Sequence, residues 1–292
     1  MRRLVACVAL LAGCVSVATS AQKAPVPDLS LTLAGVTEYL QDYFARAQSI
    51  ICDETVRIQA LGSDLLAVES LPRVVRNELR ISWEPAEGGG ITAPQVLREL
   101  ISVNGRPPRI KDRERDGDRC FDQHAISPEI LGSLFLPENR ADYTYKVAGL
   151  GKSGGRPAVL LDIQDVSSGP VEMHVDGVCS SFGKPGTLKW RVWIDAGSYA
   201  VLRLDQSLNK QYEVTIPANR RLGVERRLIT VERSDETIVF KRVEFKDPAD
   251  TIMLPATREA VQVLRNSFSP RMRTSFTYRN YRRFMTSGRI VQ

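Results

Sequence analysis

Leu188–Asp195 has the sequence LKWRVWID, in which apolar side chains alternate with mainly charged ones. A period of two places successive side chains on opposite faces of a β-strand. Tyr199–Leu208 follows across Ala196-Gly197, as the second arm of a hairpin would. The face that we expect to be buried carries Leu188, Trp190, Val192 and Ile194, opposite Lys189, Arg191 and Trp193. The stretch therefore predicts an antiparallel sheet with an apolar side.

Strand-like segments continue on both sides of this hairpin. They are rich in β-branched and aliphatic residues and are separated by short turn-forming clusters such as Asn104-Gly105. Ser234-Asp235 is interpreted as the turn between two of them. Short connections predict an antiparallel meander. The segments are Ile50–Leu61, Leu65–Leu71, Arg73–Trp83, Gln95–Val103, Asp142–Gly149, Pro157–Val166, Gly223–Glu232, Glu236–Lys246, Leu254–Leu264 and Met272–Phe284.

Two helices are expected beside the sheet. The shorter one, which comes second along the chain, is predicted over Ser127–Phe135, with Ser127 as N-cap and Pro128 in the first helical position. The fold class that follows is α+β, mainly β: a curled antiparallel sheet forming an open barrel or half-barrel, covered by an N-terminal helix and this second helix. The N-terminal helix is indicated by an apolar stripe at helical spacing, made of Val36, Tyr39, Leu40, Tyr43, Phe44 and Ala47.

The N-terminus has the form of an export signal. Met1-Arg2-Arg3 precedes the apolar run Leu4–Ala12. Two cleavage patterns follow: Leu11-Ala12-Gly13-Cys14, which would leave Cys14 lipidated, and Thr19-Ser20-Ala21, which would release a secreted protein. Both alternatives stay open. We therefore expect a signal peptide over 1–21, or 1–13 for a lipoprotein, a linker over 22–33 and one β-rich domain over 34–292. The protein is expected to be periplasmic or secreted, or anchored to the cell envelope through Cys14.

The charge balance is mildly basic, with a formal net charge of +6, two units of which come from Arg2 and Arg3 in the signal. We expect no nucleic-acid partner, and no later apolar run has the length of a membrane span. An arginine cluster near the C-terminus faces only Glu259 in that stretch. It fits an anionic envelope surface or, alternatively, a solvated strand face. Its members are Arg258, Arg265, Arg271, Arg273, Arg279, Arg282, Arg283 and Arg289.

Three cysteines remain beyond both signal alternatives: Cys52, Cys120 and Cys179. An oxidising compartment favours a disulfide, and the loop-like surroundings of Cys120 and Cys179 make them the expected pair, with the state of Cys52 open. His124 and His174 lie near the same two cysteines. Zinc is therefore an alternative, although the spacing matches no usual zinc motif, and we predict no metal and no cofactor.

Catalytic motifs are weak. Gly149–Gly154 spells a dinucleotide fingerprint, but the strand-like Ala158–Leu161 follows where a helix is required, so a hairpin turn is predicted. Asp53-Glu54 offers two carboxylates, but adjacent strand residues point to opposite faces, and we interpret them as exposed strand charges. No serine lies in a nucleophile elbow. The protein is not expected to be an enzyme.

Several short motifs carry a resemblance to a known family. They are Ser63–Val68, Val103–Pro107 with Asp112–Arg115, Trp193–Asp195 with Val201–Arg203, and Tyr278–Phe284. The chain resembles an uncharacterised family of exported bacterial proteins that is similar to the periplasmic lipoprotein-carrier (LolA-like) superfamily. The resemblance implies an open or half-barrel with a helical cover and, in the carriers, a cavity for acyl chains. It transfers no catalytic residue, and the long segment Ser167–Pro185 departs from minimal carriers.

Three functional hypotheses follow. The first is a binding protein that takes a lipid, an acyl chain or a lipoprotein into an apolar cavity between sheet and helix. The second is a non-catalytic envelope interaction or scaffold protein, with its interior filled by its own side chains and a protein partner on its basic C-terminal surface. The third, which we do not favour, is a zinc-dependent or hydrolytic enzyme. The expected cavity-wall residues are Tyr43, Phe44, Trp190, Val192, Phe276 and Tyr278.

Overall fold

A computed structural model describes the chain over the ranges 27–47, 49–82, 95–110, 112, 129–176, 179–216, 218, 226–246, 249–266 and 271–283. Two helices, α1 (Leu29–Arg46) and α2 (Glu129–Phe135), and a 3-10 helix (Pro137–Asp142) accompany the strands. The strands are β1 (Ser49–Ala60), β2 (Arg73–Ser82), β3 (Gln95–Val103), β4 (Tyr143–Ser153), β5 (Arg156–Asp165), β6 (Glu172–Asp176), β7 (Cys179–Gly183), β8 (Leu188–Asp195), β9 (Val201–Leu208), β10 (Tyr212–Ile216), β11 (Arg227–Lys246), β12 (Ala249–Arg265) and β13 (Met272–Arg283).

One large antiparallel sheet dominates the molecule. Its strand order is β3-β2-β1-β13-β12-β11-β9-β8-β5-β4, with β10 pairing to β11, while β6 and β7 form a separate hairpin. β1 pairs with β13, so the first and last strands that the structure describes are neighbours within the sheet. The sheet is not closed, and β3 and β4 are its edges. This open half-barrel with helices confirms the predicted fold class.

One continuous row of residues that are paired across adjacent strands, which we call the register row, crosses the interior face of the half-barrel. Alternation along every strand brings one residue per strand into this row. All but one of its members are apolar, and Arg258 is the exception. In order across the sheet the row is Val147, Leu161, Val192, Leu204, Ile238, Arg258, Phe276, Val56, Val75 and Val103.

Helix α1 begins because Asp28 caps it: the Leu31 N–H donates to Asp28 Oδ1 at 2.9 Å. The start at Leu29 lies inside the segment that the sequence assigned to a linker. The predicted apolar stripe is the buried face, with Val36 and Leu40 fully buried and Tyr39 half-buried. This face packs on the interior side of the sheet in one hydrophobic cluster with Val192, Leu204 and Phe276 among others.

α1, α2 and the 3-10 helix together form what we call the cover. Thr37 Oγ1 donates to the Phe135 carbonyl at 3.0 Å, and Arg140 Nη2 donates to Thr37 Oγ1 at 2.7 Å. Tyr145 on the edge strand β4 donates its hydroxyl to the Leu134 carbonyl at 2.8 Å. The helical pieces are therefore bound to each other by hydrogen bonds and to the sheet edge by a tyrosine.

A second, smaller hydrophobic cluster is separate from the main one. Tyr212, Val214, Ile229 and Val231 are buried there, and Phe182 packs against them. The Tyr212 hydroxyl donates to the Phe182 carbonyl at 3.2 Å. The long segment Ser167–Pro185 thus contributes the β6–β7 hairpin. Neither this hairpin nor β10 was indicated by the local sequence pattern.

Two strand predictions were wrong. Ser234-Asp235 is not a turn, because β11 runs through it as a single strand with a register shift between Val231 and Arg233. Leu65–Leu71 is not a strand, because Leu65 has a φ of 63° and Gln59 Nε2 donates to the Val68 and Ser70 carbonyls, which holds the segment as a loop. Both predictions rested on local composition: a polar pair indicated a turn, and an aliphatic run indicated a strand. In the structure, pairing between strands decides both positions.

Candidate functional site

The six expected cavity-wall residues all lie between sheet and cover. Each is buried: Tyr43, Phe44, Trp190, Val192, Phe276 and Tyr278 have between 0% and 8% of their surface exposed. They belong to one hydrophobic cluster, in which Tyr43 meets Phe44 edge-to-face at 5.5 Å and Phe276 stacks on Tyr278 at 6.3 Å. In this conformation their own side chains fill the space around them. Their role as ligand contacts stays a prediction.

Polar residues cross the same interior face, and we call them the polar belt. Their side chains share the inward direction of the apolar register row, so they lie within the half-barrel rather than on its outer surface. Apolar residues of the same face, such as Ile50, Ile81 and Ile252, belong to one hydrophobic cluster with the cover. The belt comprises Gln206, Glu236, Arg258, Tyr278, Glu54, Asn77 and Arg98.

Glu54 is the most buried charge of the belt, with no exposed surface. Arg98 binds it through Nε at 2.9 Å and Nη2 at 3.3 Å, and Asn77 Nδ2 donates to it at 2.9 Å. A buried carboxylate requires such partners, because an unpaired charge in the interior is strongly unfavourable. The interpretation of Glu54 as an exposed strand charge was therefore wrong, whereas Asp53 does lie on the opposite face and accepts from Asn280 at 2.6 Å.

Arg258 and Glu236 form the second ion pair of the belt. Arg258 Nε and Nη2 donate to the two Glu236 carboxylate oxygens at 2.7 and 2.9 Å. The Arg258 guanidinium also lies 5.0 Å from the centre of the Phe276 ring, where a cation is attracted to the face of an aromatic ring. Phe276 in turn stacks on Tyr278. The belt is thus continuous from the ion pair to the tyrosine.

A bulge in β13 places two tyrosines on the interior side. The β1–β13 register shifts between Ile51 and Asp53, and Asn280 adopts a φ of 52° at this point. Asparagine tolerates this left-handed conformation better than most residues. Tyr278 and Tyr281 are thereby both brought into the interior, although they are three residues apart, and the Tyr281 hydroxyl donates to the Pro255 carbonyl at 2.6 Å.

Burial shifts the proton equilibria of the interior groups. It raises the pKa of Tyr278 well above its ordinary value, and the nearby Glu54 carboxylate adds to the shift. Burial, again followed by Glu54, raises the pKa of the Cys52 thiol to about 12. Tyr278 is therefore a hydrogen-bond donor at neutral pH, and Cys52 is a protonated thiol without nucleophilic character.

The outer face carries a shallow groove of about 650 Å³. Its carboxylates are held by arginines: Arg191 binds Asp162 at 2.7 and 2.9 Å, and Arg203 binds Asp205 at 2.8 and 2.9 Å. Arg203 also lies 4.9 Å from the centre of the half-buried Trp193 ring. Because these charges neutralise one another on an open sheet surface, we interpret the groove as a solvated face and not as the site.

The arginine cluster is largely neutralised, contrary to what the local sequence indicated. Five of its eight members find carboxylates on other strands, most of which lie outside the C-terminal stretch. Arg258 and Arg283 point inward, and Arg289 lies outside the described residues. The ion pairs are Arg258–Glu236 at 2.7 Å, Arg265–Glu232 at 3.2 Å, Arg273–Glu259 at 3.5 Å, Arg282–Glu78 at 3.2 Å and Arg283–Asp250 at 2.5 Å.

The cysteine and histidine predictions fall mostly outside the described residues. Cys14, Cys120 and His124 lie there, and of His174 and Cys179 the structure describes only the backbone, in β6 and β7. The expected disulfide and the zinc alternative therefore stay predictions. Within the ranges that the structure describes, no group of three or more potential ligands converges to hold a metal ion.

The dinucleotide-like run Gly149–Gly154 ends in a hairpin. It lies in β4 and the turn that leads to β5, with Gly154 and Gly155 at positive φ, as predicted. The arrangement presents no helix N-terminus to a phosphate, so this run is a structural feature of the sheet edge.

No protein-family model and no curated protein matches the chain. Similar solved structures include a DUF1329 family protein from Desulfovibrio piger, at 10% identity and a TM-score of 0.43, covering 89% of this chain and 94% of that one. A LolA superfamily protein from Nitrosomonas europaea is similar at 8% identity and a TM-score of 0.35, with coverages of 87% and 94%. An outer membrane lipoprotein-sorting protein domain from Vibrio parahaemolyticus follows at 14% identity and 0.35, with coverages of 88% and 94%. LolA-like proteins thus occur among the structural neighbours, at low identity.

Within the described part of the chain, no helix has both the length and the apolar character needed to span a bilayer.

Proposed function

We propose that this protein is a non-catalytic, exported cell-envelope protein that holds the acyl chain of a lipid or lipoprotein between its half-barrel and its cover. The observation that supports this proposal most is the apolar interface beneath α1. Val36, Leu40 and Tyr43 face the sheet there and are fully or almost fully buried. An acyl chain could replace part of this contact without uncovering a charge.

Arg46 in the last turn of α1 makes polar contacts with the strands: it binds Asp250 at 3.0 Å and donates to the Thr251 carbonyl at 3.1 Å. The buried hydrogen bond from Thr37 to the Phe135 carbonyl lies within the cover and would move with it. Parting of the cover from the sheet would therefore break a small set of part-buried hydrogen bonds. This arrangement supports a cover that can part from the sheet.

The free energy of burying an acyl chain is similar in size to that of burying the apolar stripe of α1. Burying an acyl chain contributes about 0.8 kcal/mol for each CH₂ group, or about 13 kcal/mol for sixteen groups. The six stripe residues of α1 contribute about 1.5–3 kcal/mol each when buried, with Ala47 at or below the lower end. One chain can therefore balance the release of much of the helix, whereas a shorter chain would displace only part of it.

The test is direct analysis of bound lipid. Protein purified from the cell envelope without detergent is extracted with organic solvent, and the extract is examined by mass spectrometry. Protein stripped of lipid is then incubated with phospholipid vesicles, re-isolated and analysed in the same way. We expect a defined acyl lipid in both preparations. Repeatedly empty preparations of folded protein would refute the carrier function.

A second function is supported by one observation: all six expected wall residues are packed in the core. An interior filled by its own side chains suits an envelope interaction or scaffold protein that binds a protein partner on its surface. This alternative predicts that the lipid analysis yields nothing at any lipid concentration. A specific lipid at a fixed ratio to protein would rule it out as the main function.

Membrane anchoring through Cys14 is proposed separately, from the cleavage pattern alone. A Cys14→Ala variant should move from the membrane fraction to the soluble fraction, because the modified thiol is the attachment point. If the variant still partitions with membranes, the lipid anchor is refuted. The Cys120–Cys179 disulfide is tested by the intact mass before and after reduction, where a gain of about 2 Da is expected for one bridge.

A further inference from the structure

Tyr278 has a hydroxyl whose hydrogen-bonding capacity is unused. The side chain is fully buried on the interior face, and among the described residues its Oη has no hydrogen-bond partner. A buried hydroxyl without a partner is destabilising, and phenylalanine would fill the same space without that cost. The neighbouring Tyr281 differs, because its hydroxyl donates to the Pro255 carbonyl.

The charges around Tyr278 are already matched. Glu54 is held by Arg98 and Asn77, and Arg258 is held by Glu236 through two hydrogen bonds. Each carboxylate of the belt thus has its arginine, and each arginine has its carboxylate. A ligand carboxylate or phosphate would add a negative charge close to Glu54 and Glu236 without a cation released to meet it. The belt therefore suits an uncharged acceptor.

Tyr278 has both apolar and charged neighbours. Its side chain belongs to the hydrophobic cluster that includes Tyr43 of α1, and it interacts electrostatically with Glu54 and Arg258 of the belt. Because Tyr278 stays protonated, its hydroxyl can donate a hydrogen bond but needs an acceptor. An amphiphile with its tail in the interior would bring its first polar group to this level.

We propose that the Tyr278 hydroxyl donates a hydrogen bond to a neutral carbonyl, the ester or amide of an acylated ligand, and thereby selects acyl esters and amides over free fatty acids. This inference rests on the proposed function and names its ligand class. Such a bond would turn an unfavourable feature of the ligand-free protein into a favourable contact of the complex.

Tyr278→Phe tests the proposal. Binding is measured with 1-N-phenylnaphthylamine, a fluorescent apolar reporter without a carbonyl, and with monolauroylglycerol, a neutral ester that displaces it below its own aggregation concentration. Tyr278→Phe should weaken binding of monolauroylglycerol about tenfold, the effect of one hydrogen bond, and leave the affinity for the reporter unchanged. The variant should also have a Tm equal to or above that of the unaltered protein.

Tyr281→Phe is the matched control, because Tyr281 lies on the same strand and packs against the same hydrophobic cluster, although it is only partly buried. It removes a hydroxyl that has a partner, so it should lower the Tm and leave the preference between ester and reporter unchanged. A second measurement uses the unaltered protein alone, which should bind monolauroylglycerol more tightly than laurate, the free acid of the same chain length.

Several outcomes would overturn the inference. Equal binding of monolauroylglycerol by the unaltered protein and Tyr278→Phe would do so while leaving the carrier function intact, and so would tighter binding of laurate than of the ester. A loss of Tm as large as that of Tyr281→Phe would show that the hydroxyl has a structural partner. Failure of the unaltered protein to bind reporter, ester and laurate would instead contradict the proposed function itself.

Discussion

Glu54 illustrates how a single residue is placed by alternation. It follows Ile50 and Cys52 at intervals of two, so the strand period alone puts it on the apolar face. The sequence offered this signal, and it was missed because Asp53-Glu54 was read as an adjacent pair. Its partners Asn77 and Arg98 come from β2 and β3 and could not be named without the register of those strands.

Removing the arginine partner of Glu54 should destabilise the protein. Arg98→Met leaves a fully buried carboxylate with one of its two partners, and we expect a loss of about 3 kcal/mol in the free energy of unfolding. Chemical denaturation in urea measures it. Arg57→Met on β1, an exposed arginine, is the control and should change the free energy by less than about 0.5 kcal/mol. A loss for Arg98→Met no larger than that control would show that Glu54 is not held by this ion pair.

At the scale of elements, the sequence located most strands and both helices, because their alternation and helical stripes are strong. It missed the short strands β6, β7 and β10, which pair outside the main core, and it divided β11 at Ser234-Asp235. It also assigned the first turns of α1 to a linker, although Asp28 was present as an N-cap. Local patterns therefore identified elements, and long-range pairing decided their limits.

The turn between β8 and β9 holds α1 in place. Tyr199 in this turn has a φ of 58°, and its ring lies so close to Gly35 that a Cβ there would be 2.5 Å from Tyr199 Cγ. Asp195 stabilises the turn by accepting from the Gly197 and Ser198 N–H groups at 3.1 and 2.8 Å. α1 and the turn are thus fitted to each other.

Gly35→Ala should therefore lower the Tm. Alanine in an unconstrained helix would stabilise by about 1 kcal/mol relative to glycine, so the direction of the change reports the contact with Tyr199. Gln41→Ala on the exposed side of α1 is the control and should leave the Tm unchanged. Adding Tyr199→Gly to Gly35→Ala should recover much of the loss, because glycine accepts positive φ. An increase in Tm for Gly35→Ala alone would show that the turn does not restrain the helix.

The C-terminal end of α1 is secured by Asp250 at the start of β12. Burial acts to raise the pKa of this carboxyl, but hydrogen bonds from Arg283, the Thr251 N–H and Arg46 outweigh it and hold the pKa below the ordinary value of 3.8. Because the pKa of this carboxyl is lower in the folded state than in the unfolded state, its ionised form stabilises the fold at pH values above the unfolded-state pKa. This stabilisation is lost as the pH falls through the folded-state pKa.

Asp250→Asn should accordingly lower the Tm at about pH 7, and the difference from the unaltered protein should shrink as the pH falls below about 4, down to about pH 2. Glu244→Gln, a largely exposed carboxylate 3.8 Å from Arg242, is the control and should show no such difference at either end of the range. A difference in Tm that stays constant from neutral to acidic pH would contradict the assignment of this carboxylate.

At the scale of the whole molecule, the half-barrel and its cover were predictable and the candidate site was not. Tyr43, Val192 and Phe276 were correctly placed on inward faces by their periods. Apart from Tyr278, the polar belt was missed, because its members are scattered over β1, β2, β3, β9, β11, β12 and β13 and converge only in the folded sheet. The ligand class that we infer depends on that convergence, because it requires paired charges beside the apolar interior.

Photochemical labelling of the interior tests this account most directly. A monoacylglycerol with a diazirine at the end of its acyl chain is incubated with the protein, irradiated and mapped by mass spectrometry of peptides. We predict adducts on interior residues such as Tyr43, Val192 and Phe276, suppressed by an excess of unlabelled monolauroylglycerol. Adducts confined to the outer face, such as at Trp193, or adducts that the competitor does not suppress, would contradict it.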